Sequence, residues 1–160
     1  MNDDFNHLFY LTEIDELEEI KNILRKNPSL ISGRDQYGFS ILHAAVMTEN
    51  EELVEYLIEM GADVNAKNNE GICPLHIVLD EGVAECLLNN GALIDAAANN
   101  GDTPLHTQVS EGEESIDVIQ FLLERGAKTV MRNKFGETPL DIAESREENL
   151  IIKILRENRS

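Results

Sequence analysis

One short sequence pattern occurs four times along this chain at nearly constant spacing, and it constrains the fold more than any other feature. The glycines that open its copies are separated by 33, 30 and 35 residues. A period of this size predicts an array of small supersecondary units, because each unit can bury its apolar side only against a neighbour. The copies are GFSILH at 38–43, GICPLH at 71–76, GDTPLH at 101–106 and GETPLD at 136–141.

Each copy predicts the start of one helix, and a second recurrent element predicts the end of another. Thr103-Pro104 suits a helix start, because Thr caps free N–H groups and Pro needs no partner in the first turn. Gly61, Gly91 and Gly126 suit the left-handed backbone that ends a helix. They follow apolar residues at helical spacing, namely Val54, Leu57, Ile58, Val83, Leu87, Leu88, Ile119, Leu122 and Leu123. The polar stretch between each glycine and the next helix start predicts an extended turn.

These elements together resemble the ankyrin repeat, and the resemblance runs from about residue 35 to the C-terminus. It implies an all-α solenoid of stacked helix-turn-helix units joined by β-turn or hairpin loops. We expect a single domain over residues 1–160, with a capping repeat at each end and three internal repeats. The predicted repeats, numbered first to fifth, cover about 1–34, 35–67, 68–97, 98–132 and 133–160.

The two terminal repeats have the polar outer side that the ends of such an array require. Residues 4–12 and 13–26 fit a helix pair, and residues 144–158 fit a final helix. Asn27, which tolerates left-handed backbone, stands where later repeats have Gly. We therefore expect the array to be complete in itself.

The third and fourth repeats depart from the common length. The third is about three residues short near 80–82, and the fourth is about two residues long near 110–115. Both changes are predicted in the link between the two helices, where surface loops tolerate changes of length. Two interpretations stay open: neutral variation, or loops shaped for one particular partner.

Acidic residues dominate the middle of the chain. The whole chain has 13 Lys and Arg against 31 Asp and Glu, a net charge of −18. Between residues 35 and 124, eighteen acidic residues accompany a single basic residue, Lys67. This argues against nucleic-acid binding, which needs clustered Lys and Arg, and it favours a basic protein partner. The alternative is that the charge serves only solubility.

We expect a cytoplasmic protein that is a monomer on its own and has no membrane partner. No apolar run approaches the roughly 18 residues that a membrane helix needs, and the acidic N-terminus is unlike a secretory signal. Cys73 and Cys86 are the only cysteines, and we expect them to be reduced rather than joined in a disulfide.

The histidines and acidic pairs predict no catalytic residues, no cofactor and no metal site. His43, His76 and His106 recur once per repeat, roughly 10 Å apart by the usual spacing of packed helices, too far to share one zinc ion. In the ankyrin family this His is a structural residue that hydrogen-bonds between neighbouring turns, and here Asp141 takes its place in the last copy. No nucleophile elbow, phosphate-binding loop or calcium-binding loop is present.

The resemblance implies that a partner binds the turn tips and the exposed side of each first helix, on the concave face of the array. Tyr37, Phe39, Ile72 and Phe135 stand out, because large apolar side chains at exposed positions often anchor an interface. The alternative for Tyr37 and Phe135 is that they fold back onto the adjacent turn. The predicted partner-binding residues are Gln36, Tyr37, Phe39, Met47, Thr48, Asn69, Glu70, Ile72, Asp80, Glu81, Asn99, Asn100, Asp102, Ser110, Glu111, Lys134, Phe135 and Glu137.

Two functions fit these features. The first is a binding protein that captures and inhibits a basic partner through its acidic concave face, in the manner of an immunity protein or antitoxin. The second is a general adaptor or scaffold that recruits a partner without inhibiting it. A degenerate enzyme is the weakest alternative, because no convergent polar cluster is predicted.

Overall fold

The computed structural model describes residues 3–158, which contain nine α-helices, three short 3-10 helices and no β-strand. None of the helices in this range is long and apolar enough to cross a membrane. The α-helices are α1 (Asp3–Glu13), α2 (Leu17–Lys26), α3 (Ile41–Ala45), α4 (Glu51–Glu59), α5 (Glu81–Asn89), α6 (Pro104–Glu111), α7 (Ile116–Glu124), α8 (Pro139–Ser145) and α9 (Asn149–Glu157). The 3-10 helices are Pro28–Ser32, Pro74–His76 and Glu113–Ser115.

The helices form an inner and an outer layer. In the inner layer α1 contacts α3, and α6 contacts α8. In the outer layer α5 contacts both α4 and α7. The two layers are joined within each helix pair, as α1 with α2, α3 with α4, α6 with α7 and α8 with α9. The predicted all-α array of helix pairs is therefore confirmed.

The predicted helix starts and stops are formed as the sequence indicates. At Thr138 the side-chain Oγ1 accepts a hydrogen bond from the N–H of Asp141 at 3.2 Å, and Pro139 is the first helical residue. Gly61 and Gly91 follow the outer helices α4 and α5 with φ of 95° and 91°, a backbone conformation that a Cβ atom disfavours. These boundaries set the lengths of the helices.

One continuous hydrophobic core runs through the array from Phe5 to Leu155. Leu57, Leu87 and Leu122, each four residues before a glycine, are fully buried in it. Burying such a side chain contributes about 1.5–3 kcal/mol relative to leaving it exposed. The outer helices of the second, third and fourth repeats are thus held by equivalent contacts.

The helices at both ends differ from their predicted bounds. The non-glycine residues Asp15 and Glu147 have positive φ values of 58° and 60°, and each reverses the chain between two antiparallel helices. As a result α2 begins later than predicted, and the predicted helix over 144–158 is divided between α8 and α9. Asn27 has φ of −139°, so the left-handed conformation predicted there was wrong.

The third repeat is shortened at a different place from the one predicted. Its first helix is reduced to the 3-10 turn Pro74–His76, and residues 77–80 run without helix to the start of α5. The predicted shortening of the link was therefore wrong. Val83 and Leu87 hold α5 in the core, and this leaves the inner helix to absorb the deletion. In the fourth repeat the extra residues do lie in the link, as the 3-10 helix Glu113–Ser115.

Candidate protein-binding surface

Tight turns position the predicted turn residues. In the second repeat the N–H of Asp35 donates to the carbonyl of Phe39 at 3.0 Å. The Asp35 carboxylate accepts hydrogen bonds from the N–H groups of Tyr37 and Phe39 at 2.9 and 2.8 Å. Asn68 and Asn133 make the same bonds in the third and fifth repeats. These turns form because a short side-chain oxygen satisfies N–H groups two and four residues further on.

The turns are also joined to one another by backbone hydrogen bonds. The N–H of Asn69 donates to the carbonyl of Tyr37 at 2.9 Å, and the N–H of Asn99 donates to the carbonyl of Glu70 at 2.8 Å. A bond of the same kind, at 2.8 Å, joins the fourth repeat to the fifth. The turn tips therefore lie in one row with fixed spacing.

A buried histidine supports each of three turns. The Nδ1 of His43 accepts the N–H of Ser40 at 3.1 Å, and its Nε2 lies 3.0 Å from the carbonyl oxygen of Ile72 in the next repeat. An imidazole that accepts at Nδ1 has its proton on Nε2, where it donates to that carbonyl. His76 and His106 make equivalent bonds at 3.1 Å. Burial lowers the pKa of His43 and of His76, which keeps both rings neutral. The expected structural hydrogen bond between neighbouring turns is confirmed.

The predicted partner-binding residues all have some exposed surface. Tyr37 and Phe135 are 61% and 74% exposed, so neither ring is covered by the adjacent turn. Phe39 is half-buried, because its ring packs edge-on against the ring of His43 with centroids 5.3 Å apart. The exposed residues are Gln36, Tyr37, Met47, Asn69, Glu70, Glu81, Asn99, Asn100, Glu111, Lys134 and Phe135; the half-buried ones are Phe39, Thr48, Ile72, Asp80, Asp102, Ser110 and Glu137.

Several of these residues line a groove of about 450 Å³, which we name the N-terminal groove. It lies on the inner face, meaning the turn tips together with the exposed side of the inner helices. Phe9 and Glu13 of α1 and the carboxylate-bearing Asp35 line it as well. The predicted residues that it brings together are Tyr37, Phe39, Met47 and Thr48.

A second groove, of about 420 Å³, opens where the third repeat lacks its inner helix. We name it the middle groove. Of the predicted residues, Met47 and Glu111 line it, from the second and fourth repeats. Leu79, which is 51% exposed, and Gln108 of α6 also line it. Met47 contributes to both grooves and so lies between them.

The remaining predicted residues lie outside these two grooves. A shallower depression of about 280 Å³ between neighbouring turn tips is lined by Asn69, Glu70, Ile72, Asn99 and Asn100. Asp80 and Glu81 are two of the residues predicted on the exposed side of a first helix, with Met47, Thr48, Ser110 and Glu111, and for these two the prediction was wrong. The Oδ1 of Asp80 accepts the N–H of Val83 at 3.0 Å, so Asp80 caps the outer helix α5 and Glu81 lies in its first turn.

The sequence reasoning missed Phe9, Glu13, Leu79 and Gln108. The first two lie on α1, which was treated as a cap although Phe9 stands beside its buried stripe. A signal for Leu79 was available, because this large apolar residue directly precedes the short link of the third repeat. The role of Gln108 depends on the missing helix of its neighbour, which the sequence pattern did not indicate.

Five carboxylates that line the grooves have no ion-pair partner among the residues that the structure describes. Glu13, Asp35, Glu49, Glu111 and Glu114 line one groove or the other. Across residues 3–158, none of them forms an ion pair with Lys or Arg; the ion pairs of that range involve other acidic residues. The inner face therefore combines exposed apolar side chains with uncompensated negative charge.

Cys73 and His76 place a thiol beside an imidazole, as a cysteine nucleophile and its base would be, with Sγ and Nδ1 3.0 Å apart. Cys73 is buried, and this burial raises the pKa of its thiol, so the reactive thiolate is disfavoured. Cys73 occupies the helix-start position that Thr103 holds in the next repeat. The pair thus serves the turn. In the part of the chain that the structure describes, no group of His, Cys, Asp and Glu has the arrangement of a metal site.

Comparison with known families agrees with the repeat geometry. A family model described as "Ankyrin repeat" matches residues 37–69. A second model, described as "Ankyrin repeats (3 copies)", matches residues 75–160, which is more than half of the chain.

Similar proteins come from distant sources. The "Probable 26S proteasome regulatory subunit p28" of Saccharomyces cerevisiae is 30% identical over 136 residues, 81% of this chain and 60% of that protein. The human "B-cell lymphoma 3 protein" is 35% identical over 128 residues, 79% of this chain and 28% of its own length. The "Putative ankyrin repeat protein FPV219" of Fowlpox virus is 36% identical over 103 residues, 62% of this chain and 23% of its own. The chain thus spans less than two thirds of each of these three relatives.

Proposed function

The chain belongs to the ankyrin-repeat family, whose repeats form protein-protein interaction modules, and from this premise we propose that it binds and inhibits a basic protein through its acidic inner face. The proposed role is non-catalytic and needs no cofactor. The partner chemistry is that of a cationic protein, such as a nuclease-like toxin, and the role is that of an immunity protein or antitoxin.

One observation carries the proposal: carboxylates that have no ion-pair partner within residues 3–158 line the same grooves as exposed apolar side chains. Glu13 and Asp35 line the N-terminal groove together with Tyr37. Glu49 and Glu111 line the middle groove. Complementary charge speeds encounter with a basic partner and rejects acidic ones. Exposed aromatic side chains supply the anchors that dominate interface energy.

Rigidity of this face supports inhibition. The hydrogen bonds between turns, and the bridges from His43, His76 and His106, hold the turn tips in a fixed row before any partner arrives. A preorganised surface loses little conformational freedom on binding, so more of the contact energy appears as affinity. A rigid anionic surface can also compete with a polyanionic substrate for the same cationic patch on the partner.

The second candidate is an adaptor that recruits a partner without inhibiting it. The observation that favours it is the similarity, over 81% of this chain, to a yeast protein described as a probable regulatory subunit of the 26S proteasome. Such a subunit acts inside a larger assembly. Its likeness to this chain supports recruitment, and the activity of the captured partner separates the two candidates.

The test is affinity capture from the native host, with identification of the captured protein and a salt titration. We expect a basic protein whose binding weakens as salt rises, because screening reduces charge complementarity. Salt-insensitive capture of an acidic protein would overturn the proposal. Addition of the chain to the isolated partner should abolish the partner's activity at equal stoichiometry if it is an inhibitor and leave it unchanged if it is an adaptor.

A matched pair of variants locates the binding face. Glu13→Gln with Asp35→Asn removes two charges from the N-terminal groove, and Asn keeps the turn hydrogen bonds that Asn68 makes in the third repeat. Glu55→Gln with Glu59→Gln removes the same charge from the exposed side of α4 in the outer layer. We expect the first variant to weaken capture about tenfold and the second to change it little.

We further propose that the chain works as a monomer in the cytoplasm. Cys73 and Cys86 are free thiols, one buried and one half-buried, which suits a reducing compartment. The net charge of −18 opposes association between copies.

A further inference from the structure

The middle groove exists because the third repeat lacks most of its inner helix. The 3-10 turn Pro74–His76 occupies the place where the fourth repeat has the whole of α6. Leu79, which follows the turn, is 51% exposed and lines the groove together with Met47 of the second repeat, which is 56% exposed. Both side chains are flexible and apolar, so together they offer a surface on which a long side chain can lie.

Gln108 closes the inner end of this groove. Its Nε2 donates to the carbonyl oxygens of His76 and Val78, both at 3.0 Å, and so replaces partners that a full helix would have supplied. The Gln108 side chain is 1% exposed, and its Oε1 is buried without a hydrogen-bond partner among the described residues. An acceptor in that state is unfavourable until a donor reaches it, because it has lost water without gaining a partner.

Negative charge comes to the groove from both sides. Glu49 belongs to the second repeat, and Glu111 and Glu114 belong to the fourth. Among residues 3–158, no Lys or Arg lines the groove. A cation with an apolar stem would therefore meet complementary charge and complementary apolar surface in the same place.

We propose that the middle groove binds one arginine side chain of the partner, with its stem against Met47 and Leu79 and its guanidinium among Glu49, Glu111 and Gln108. This inference rests on the proposed binding of a basic protein and assigns one subsite within that interface. Arginine fits better than lysine, because its planar guanidinium carries five N–H donors that reach separate acceptors and is less strongly hydrated than an ammonium group. One of these donors satisfies the Oε1 of Gln108.

The test uses the whole chain and short peptides, with no partner present. The probes are acetyl-Ala-Arg-Ala-amide, its citrulline analogue, which has the same shape without charge, and its lysine analogue. NMR follows the ε-methyl group of Met47 and the side-chain amide of Gln108; the ε-methyl group of Met60, which lies outside the groove, serves as the internal control. We expect saturable shifts at the first two sites, with millimolar affinity for the arginine peptide. Binding of the citrulline peptide should be about tenfold weaker.

Two double variants sharpen the test. Glu49→Gln with Glu111→Gln should weaken arginine-peptide binding about tenfold, whereas Glu55→Gln with Glu59→Gln on α4 should leave it unchanged. These four side chains are exposed, so both variants keep the fold. Equal binding of the arginine and citrulline peptides, or of the arginine and lysine peptides, would overturn the assignment. So would an absence of shifts at Met47 and Gln108.

The outcome separates this inference from the proposed function. If the arginine peptide binds the groove but the host yields no basic partner, the proposed function fails and the subsite stands. If a basic partner is captured equally well by the Glu49→Gln, Glu111→Gln variant and the peptide leaves the groove unshifted, the subsite is wrong and the proposed function stands.

Discussion

The third and fourth repeats start from nearly the same helix-start sequence, Cys-Pro-Leu-His and Thr-Pro-Leu-His, yet their inner helices differ completely. In the fourth repeat the helix continues from Pro104 to Glu111, whereas in the third it ends after the single turn Pro74–His76. Their outer helices, α5 and α7, have the same length of nine residues. In the third repeat the missing residues therefore fall on the inner layer, because the outer helix α5 is held on both sides by α4 and α7.

A side chain of the fourth repeat compensates for hydrogen bonds that the third repeat does not make. The shortened turn leaves carbonyl groups without helical partners, and Gln108 of the fourth repeat donates to two of them. The third repeat depends on the fourth for hydrogen bonds that an ordinary repeat makes internally. Because the helix is short, the middle groove is open on the inner face; a full helix would fill it.

The largest expected effect tests whether the outer layer of the third repeat is as well packed as that of the fourth. Leu87→Ala and Leu122→Ala remove fully buried side chains at matched positions of α5 and α7. Each should lower the free energy of unfolding by about 2–5 kcal/mol, from lost burial and the cavity left behind. Urea denaturation measures both. A cost for Leu87→Ala far below that of Leu122→Ala would show that α5 is loosely held. It would contradict the claim that the two outer helices are equally well packed.

A somewhat smaller effect tests the two hydrogen bonds that Gln108 donates to the third repeat. Gln108→Leu keeps the volume of the side chain but leaves the carbonyls of His76 and Val78 without donors. The expected net loss is about 2 kcal/mol of unfolding free energy, because two carbonyls lose their donor while the unsatisfied Oε1 is removed as well. Gln120→Leu, on the exposed side of α7, is the control and should stay within about 0.5 kcal/mol of the original chain. Equal stability of the two variants would mean that water or backbone adjustment serves the carbonyls as well.

A further prediction concerns His76, which the third repeat retains, and its counterpart His43. Burial lowers the pKa of both imidazoles below the unfolded value of about 6.5. The unfolded chain therefore binds more protons as the pH falls below about 6.5, and the folded chain loses stability in that range. Urea midpoints should be lower at about pH 5.5 than at pH 7.5. The variant His43→Asn with His76→Asn should show a flatter profile; an unchanged slope would contradict the assignment.

The smallest effects on stability are expected at the N-terminal groove, beside the short repeat. Tyr37→Ala should change the free energy of unfolding by no more than about 0.5 kcal/mol, because the side chain is exposed. Phe39→Ala should cost about 1 kcal/mol, because its ring packs against that of His43. Both should weaken capture of the basic partner. Thermal unfolding and capture, measured on the same preparations, distinguish an anchor from a core residue.

Much of the fold was predictable from the sequence, since the repeated pattern contains the residues that start and end the helices. Thr138 with Pro139, and the glycines after α4 and α5, act through their local backbone preferences, so they mark boundaries without knowledge of the rest of the molecule. The terminal helix bounds were less accurate. Asp15 and Glu147 adopt positive φ to reverse the chain. Asp is enriched in that conformation and Glu is not, and an Asp alone is too common to mark a helix boundary.

The candidate site was predicted only in part. Tyr37, Met47 and Glu111 follow from the repeat register, because that register sets which side of an inner helix or turn is exposed. Leu79 and Gln108 do not follow from it, since their roles arise from a helix that is absent in one repeat and a side chain supplied by the next.

By itself the sequence determined the repeat family, the order of the helices, the buried stripe of each outer helix and the negative charge of the middle of the chain. These properties depend on spacing and residue type, which act locally or sum over the chain. Only the tertiary structure decided which layer absorbed the deletion, which carbonyls Gln108 satisfies and where the carboxylates meet exposed apolar surface. Those outcomes depend on which packing contacts between neighbouring repeats are stronger. A periodic sequence pattern gives equivalent positions in every repeat, so it does not show which of their contacts is the stronger one.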